Sequence, residues 1–203
     1  MTGAFTVRPP AQFRGGREYY HSTDLYEALV AALRGRGVQP SAFDLRIHDR
    51  IVTEPRLSFA PGEAVAEAGE RAAATARFET STGPWHARVV AGAVPITGRR
   101  PYDESVIWSL TRRDGDAFVA EDVPGVSPIE VVTAVAVHAH KVLLPPPPGA
   151  RWLLAQIAGE RMLESSETGF FRFELVRKVG KGTTQSAMCD RNGRFGKLLF
   201  VLK

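Results

Sequence analysis

One stretch of the chain has a pattern of polar and apolar positions that fits no surface element. From Val131 to Val137 it reads Val-Val-Thr-Ala-Val-Ala-Val, followed by His138, Ala139 and His140, so a helix here is apolar almost all the way round. Just upstream, Ser127-Pro128-Ile129-Glu130 supplies a natural N-cap, a proline suited to the first helical position and a glutamate placed to complete a capping box. The pattern predicts a helix too short to span a bilayer, which other parts of the protein must cover. The segments that follow read as strands: Trp152 to Ile157, Phe170 to Val176, Thr183 to Cys189 and Phe195 to Leu202. The last two flank Asn192-Gly193, a hairpin turn signal. A buried helix enclosed by an antiparallel sheet is the arrangement this half predicts.

The first half has the same order. Leu25, Ala28, Leu29, Ala32 and Leu33 fall on one face of a helix predicted over Asp24 to Arg34, with Gly35 and Gly37 to stop it. A turn through Gln39-Pro40 leads to the alternating positions Phe43, Leu45 and Ile47, then Ile51-Val52. The Ala/Glu-rich stretch from Gly62 to Ala74 suits a surface helix. Two strands, Ala76 to Thr80 and Trp85 to Ala91, flank a turn at Gly83-Pro84. The second half opens with a predicted hairpin, Val106 to Thr111 and Ala117 to Glu121, turning at Asp114-Gly115. Pro145 to Pro148 then form a short stiff link from helix to sheet. The repeated plan predicts an α+β protein of two similar units, residues 1–100 and 103–203, within one compact domain.

Composition bounds the function. The 203 residues are 44% hydrophobic and 24% charged, which is ordinary for a globular protein with a sizeable core. The single cysteine, Cys189, excludes an internal disulfide and is expected to be a packed thiol. No signal-peptide or transit pattern marks Met1 to Pro10, so the expected location is the cytoplasm. A net charge of +4 favours acidic or phosphate-bearing partners. The basic residues are scattered, with pairs such as Arg99-Arg100 and Arg112-Arg113 in place of a stripe, which argues against nucleic acid.

These features resemble the double hot-dog architecture of acyl thioesterases and dehydratases. Trp152-Leu153-Leu154 resembles the strand after the hot-dog helix of acyl-CoA thioesterases. Thr183-Thr184-Gln185-Ser186 through Asp190-Arg191-Asn192-Gly193-Arg194 resembles their closing hairpin, and Ser127 to Ala134 resembles the helix start of polyketide dehydratases. The resemblance spans roughly the last eighty residues, and in the first half only the helix and the strand after it agree. It implies a fold of two buried helices, each wrapped by an antiparallel sheet. It also implies a carrier-protein- or CoA-bound acyl thioester as substrate, processed by dehydration or hydrolysis in polyketide- or fatty-acid-like biosynthesis, with no cofactor. Two departures stand out. The acid that dehydratases carry on the second-half helix is matched by Val132 or Thr133, and His48 lacks the glycine of their histidine motif. The double thioesterases use an Asp, a Thr and a Gln; the helix here has no Asp, although Thr184 and Gln185 lie on the closing strand. A non-catalytic acyl-binding or scaffold protein is the alternative these departures favour.

Several side chains are candidates for that chemistry, each with a plainer reading. His21 precedes the first helix, whose amides would polarise a thioester carbonyl, and is the candidate general base; otherwise it is a loop residue. Asp24 is a lesser candidate, with a capping box to Glu27 as the plainer reading. His138 and His140 lie roughly 200° apart around a helix, so they cannot grip one metal together, and no metal is expected. His138 is the one expected to face substrate, with a hydrogen-bonded core histidine as the alternative. Thr184 and Gln185 are candidates to position a hydrolytic water. Lys178 and Lys181 are candidates to meet a pantetheine or nucleotide phosphate. Gly180-Lys181-Gly182-Thr183 lacks the glycine spacing of a phosphate loop, which excludes nucleotide hydrolysis.

Overall fold

The computed structural model describes residues 3–62, 70–164, 169–180 and 182–203. The chain divides into two compact units, residues 1–102 and 103–203. The first contains β1 (Phe5–Val7), β2 (Phe13–Arg14), α1 (Ser22–Arg34), β3 (Pro40–Ile47), β4 (Thr53–Pro61), β5 (Ala74–Thr80), β6 (Trp85–Pro95) and β7 (Arg99–Arg100). Its main strands pair antiparallel in the order β1-β4-β6-β5-β3. β2 and β7 form a short parallel pair. α1 buries Leu25, Tyr26, Leu29, Val30 and Leu33, while the strands bury Phe43, Leu45, Leu57, Phe59, Phe78 and Trp85.

The strand β4 has no counterpart in the sequence reading. Pro55 and Pro61 demote a segment whose buried positions, Pro55, Leu57 and Phe59, do alternate. The structure accommodates Pro55 at a register shift against β6, beyond the end of the three-residue strand β1. The helix expected over Gly62 to Ala74 rests mainly on residues 63–69, which lie outside the described residues, and Ala74 itself opens β5.

The second unit contains α2 (Ser105–Ser109), β8 (Thr111–Asp114), β9 (Ala117–Ala120), α3 (Pro128–Leu143), β10 (Trp152–Gly159), β11 (Phe171–Val179), β12 (Thr183–Asp190) and β13 (Gly193–Leu202). Its strands pair antiparallel in the order β10-β13-β12-β11-β9-β8. α3 starts where the sequence places it: Glu130 accepts hydrogen bonds from the Ser127 backbone N–H at 3.0 Å and the Ser127 hydroxyl at 3.2 Å. Ile129, every residue from Val131 to Ala136, Ala139 and His140 are buried. The fold is α+β and hot-dog-like, each unit setting one long helix among antiparallel strands.

Two local expectations change. Val106 to Ser109, read as strand, is helical. Asp103 accepts from the Ser105 backbone N–H at 2.9 Å and opens the turn, Ile107 is buried, and the Trp108 indole donates to the Ala134 carbonyl at 3.1 Å. Tertiary anchorage overrides the β-branched local preference here. The closing hairpin does turn near Asn192-Gly193, but Gly193 pairs with Asp190 and so closes the loop instead of standing in its centre. Its φ of 113° is one that glycine adopts readily. Gly196 is required by space, because a Cβ there would lie 2.5 Å from the Ala158 carbonyl oxygen of β10.

Because α3 is buried over most of its circumference, its stability depends on its inward valines. Replacing Val135, which is 1% exposed, by Asp buries an unpaired carboxylate and is expected to abolish cooperative unfolding. A soluble variant with the parental melting curve, followed by circular dichroism, would contradict the burial.

Candidate functional site

In the first unit, the end of the loop before α1 converges on one imidazole. His21, not Asp24, is the N-cap: its Nδ1 lies 2.7 Å from Thr23 Oγ1 and 3.5 Å from the Thr23 backbone N–H, and the ring is 7% exposed. Tyr19 stacks on it at 6.5 Å and Tyr102 tilts against it at 5.9 Å. Burial, reinforced by the charges of Arg17, Arg14 and Arg100, pushes His21 well below the usual histidine range. The ring is therefore neutral at pH 7, the state a proton acceptor requires.

Asp24 sits one turn away in a different role. Arg14, 1% exposed, holds both of its carboxylate oxygens, with Nε donating to Oδ2 at 2.7 Å, and Arg100 donates to Oδ1. Burial disfavours the Arg14 charge, but the hydrogen bond and charge of Asp24 outweigh it, so its pKa ends above the ordinary value. This cluster fastens the β2–β7 pair to the start of α1. The structure thus gives Asp24 a structural ion-pair role, in place of the expected capping box with Glu27.

The second unit holds a second constellation, centred on His140 and not on His138. His140 Nδ1 lies 2.7 Å from the Ala136 carbonyl oxygen and Nε2 lies 2.7 Å from Thr184 Oγ1. A carbonyl only accepts, so Nδ1 carries the proton and Nε2 accepts from the Thr184 hydroxyl. Phe200, Trp152 and Phe173 surround the ring at 4.3, 5.2 and 5.5 Å. Burial lowers the His140 pKa, partly opposed by its bond to Ala136. His138 faces elsewhere, stacked on Trp108 at 5.6 Å with Phe118 edge-on at 5.7 Å. Burial and the charge of Lys141 also lower its pKa. Sequence reasoning weighed both histidines and favoured His138, because His140 is picked out by the i+4 stripe Val132–Ala136–His140, and a helix apolar almost all round hides its own stripe.

Thr184 and Gln185 are not brought together. They are consecutive on β12 and point to opposite faces, Thr184 inward to His140 and Gln185 outward to accept from Arg177 Nε at 2.9 Å. Ser186, on the inner face with Thr184, is fully buried, and its hydroxyl has no hydrogen-bond partner among the described residues. Lys178 is exposed on β11, and Lys181 lies outside the described residues. Cys189 is 8% exposed in the wall of an open cleft of about 480 Å³ that Phe170, Arg172 and Arg191 also line. Burial, more than the nearby charges, raises its pKa, which suits an unreactive thiol. Among the described residues no group of three His, Cys, Asp or Glu is placed to hold a metal, and no helix is long and apolar enough to cross a membrane.

Comparison with known proteins gives the fold. No protein-family model and no curated protein matches the chain. Among solved structures, a tesB protein of Mycobacterium avium subsp. paratuberculosis is similar over 98% of this chain and 92% of its own, at 13% identity and a TM-score of 0.50. A bifunctional dehydratase-cyclase domain of ambruticin biosynthesis is similar over 91% of this chain and 83% of its own, at 18% identity and a TM-score of 0.44. A hot-dog-fold protein from Alicyclobacillus acidocaldarius shares 9% identity over 98% of this chain and 92% of its own, at a TM-score of 0.47. The likeness is one of fold.

Two predictions test these environments. Asp24→Asn removes the bidentate carboxylate partner of the buried Arg14, leaving Glu27 at the longer distance of 3.9 Å, and is expected to destabilise the protein by about 3–5 kcal/mol in chemical denaturation; a change within experimental error would show the cluster to be dispensable. His21 and His140 are both held below their unfolded pKa, so the unfolded chain binds more protons below about pH 6.5. Stability is then full above that pH and falls as pH drops from about 6.5 toward the lowered folded-state values. A melting temperature that stays flat or rises on acidification would contradict the assignment.

Proposed function

We propose that the protein processes an acyl thioester, carried on an acyl carrier protein or coenzyme A, with His21 as general base at the start of α1. The observation that carries this reading is the buried, neutral imidazole at a helix N-terminus. The base is the tautomer in which Nδ1–H donates to Thr23 Oγ1 at 2.7 Å, which leaves the lone pair on Nε2; adopting it gives up the longer cap contact of 3.5 Å from the Thr23 backbone N–H, which then turns to the carbonyl oxygen of the substrate. A thioester carbonyl polarised there has a more acidic α-proton and a more electrophilic carbon. Dehydration uses the first property: His21 takes the α-proton as the β-hydroxyl leaves. Hydrolysis uses the second: His21 deprotonates an attacking water. The hot-dog fold supports the substrate class by analogy, which is an argument from fold and not from the site. The exposed Lys178 suits a pantetheine or nucleotide phosphate. Polyketide- or fatty-acid-like biosynthesis in the cytoplasm is the setting this chemistry suits.

The test is mass spectrometry of a panel of 3-hydroxyacyl and saturated acyl thioesters on carrier protein and coenzyme A after incubation. Loss of water marks dehydration and loss of the acyl group marks hydrolysis. His21→Ala is expected to lower turnover roughly 10²–10⁴-fold with folding intact, the loss typical of a general base. Full activity in that variant would remove His21 from the reaction. Binding of an unreactive thioester with no turnover of any panel member would favour the acyl-binding scaffold, the reading that Val132 and Thr133 on α3, in place of an acid, suggest.

The net positive charge predicts a salt-sensitive partner. Affinity for acyl-CoA or an acidic carrier is expected to fall as salt rises from 50 to about 300 mM, as screening of exposed charges requires. Affinity independent of salt, measured by calorimetry, would remove electrostatics from recognition.

A further inference from the structure

Besides Thr133, whose hydroxyl donates to the Ile129 carbonyl of its own helix at 2.8 Å, the described interior of the second unit contains three polar side chains where an apolar core would be expected. His140 and Thr184 are each 1% exposed and Ser186 is 0% exposed. A buried hydrogen-bonded pair between helix and sheet contributes little more than an apolar pair of the same shape, and a buried hydroxyl with no partner costs stability outright. Polar groups held at such a cost call for a role other than holding α3 in place.

Their geometry is that of an activated nucleophile. The hydroxyl of Thr184 donates to His140 Nε2 at 2.7 Å, and the far nitrogen of the same ring donates to the Ala136 carbonyl at 2.7 Å, which fixes the tautomer. A nucleophile, a base within hydrogen-bond reach and a third group orienting the base are the parts that covalent catalysis requires. Ser186 supplies a fourth. It lies two residues along the same inner face of β12, about 6.6 Å from Thr184 along the strand, with a hydroxyl committed to no other group among the described residues. A hydroxyl in that place is free to donate to an oxyanion formed at Thr184. Trp152 is half-buried, packs against the His140 ring at 5.2 Å and donates its indole N–H to the Leu144 carbonyl at 2.8 Å.

We propose that Thr184 is an acyl acceptor: His140 activates it, Ser186 stabilises the oxyanion, and Trp152 is the wall that moves to admit the acyl group. Thr184 Oγ1 attacks the acyl carbonyl carbon while its proton passes to His140 Nε2. The tetrahedral oxyanion accepts a hydrogen bond from Ser186. Collapse breaks the acyl carbon–sulfur bond, and the departing thiolate takes the proton from His140. Water then attacks the Thr184 ester with His140 again as base, releasing the carboxylic acid and restoring the hydroxyl. The inference takes from the proposed function only its acyl-thioester substrate; the dyad itself stands on its own geometry.

The experiment incubates the protein separately with butyryl-N-acetylcysteamine thioester and with p-nitrophenyl butyrate. Samples are quenched in acid within the first turnovers, and the adduct is located by intact mass and peptide fragmentation. The expected result is one butyryl group on Thr184 from both donors. Thr184→Ser should keep acylation, and Trp152→Ala should acylate faster. Thr184→Val and His140→Gln should acylate roughly 10²–10⁴-fold more slowly while giving parental circular dichroism. If the Val variant fails to fold, the Ser and Trp152→Ala variants still decide the question. Absence of a Thr184 adduct in both the parent and Trp152→Ala, or butyrylation confined to lysines, overturns the proposal. Thioester consumed with no Thr184 adduct overturns it and leaves the proposed function standing. An adduct from the p-nitrophenyl ester but never from the thioester supports the dyad and overturns the thioester reading.

Discussion

The helix α3 has almost no polar face to turn to water, and the second unit is organised around that constraint. Ten of its sixteen residues are buried, and at about 0.8 kcal/mol per buried methylene the valines among them supply much of the drive to enclose it. A β-sheet covers such a helix well, because each strand presents a side chain every second residue along its length. The Trp108 indole and the short helix α2 pack against α3 as well, so even the segment entering the unit is shaped by the need to cover it.

The two units treat their helix starts differently. In α3 the capping box closes the N-terminus on itself: Glu130 takes the Ser127 amide, and Pro128 removes another donor. In α1 the cap is an imidazole whose second nitrogen is left to other uses, beside an ion-pair cluster that makes the surroundings positive. The first arrangement terminates a helix and no more. The second terminates a helix and presents a titratable group, and this difference is why the base is assigned to the first unit.

The buried polar groups also divide into two kinds. Asp24 with Arg14 and Arg100 is a set of charges whose desolvation is offset by mutual attraction and multiple hydrogen bonds, and it fixes the β2–β7 pair on α1. His140 with Thr184 is neutral, with each proton assigned by the acceptor it meets. A neutral dyad moves a proton readily, because no salt bridge must break first. Its aromatic surroundings exclude water, which strengthens every hydrogen bond inside.

Much of the architecture is local information and was legible in the chain. The capping box, the apolar run of α3, the Gly-terminated α1 and the closing hairpin each depend on residues within a few positions of one another, so spacing alone reveals them. β4 was hidden by its prolines, since only the shortness of the neighbouring β1 shows that Pro55 is tolerated. α2 was hidden because the contact of Trp108 with Ala134 spans 26 residues. The candidate chemistry followed the same division. His21 was readable as the residue before a helix, but its neutrality depends first on burial and then on the arginines at 17, 14 and 100, which only folding supplies. His138 was favoured over His140, and Thr184 was set beside Gln185, whereas the fold hydrogen-bonds Thr184 to His140 and turns Gln185 outward. A sequence gives the spacing of side chains along an element, whereas which side of that element faces the interior is decided by the elements packed against it.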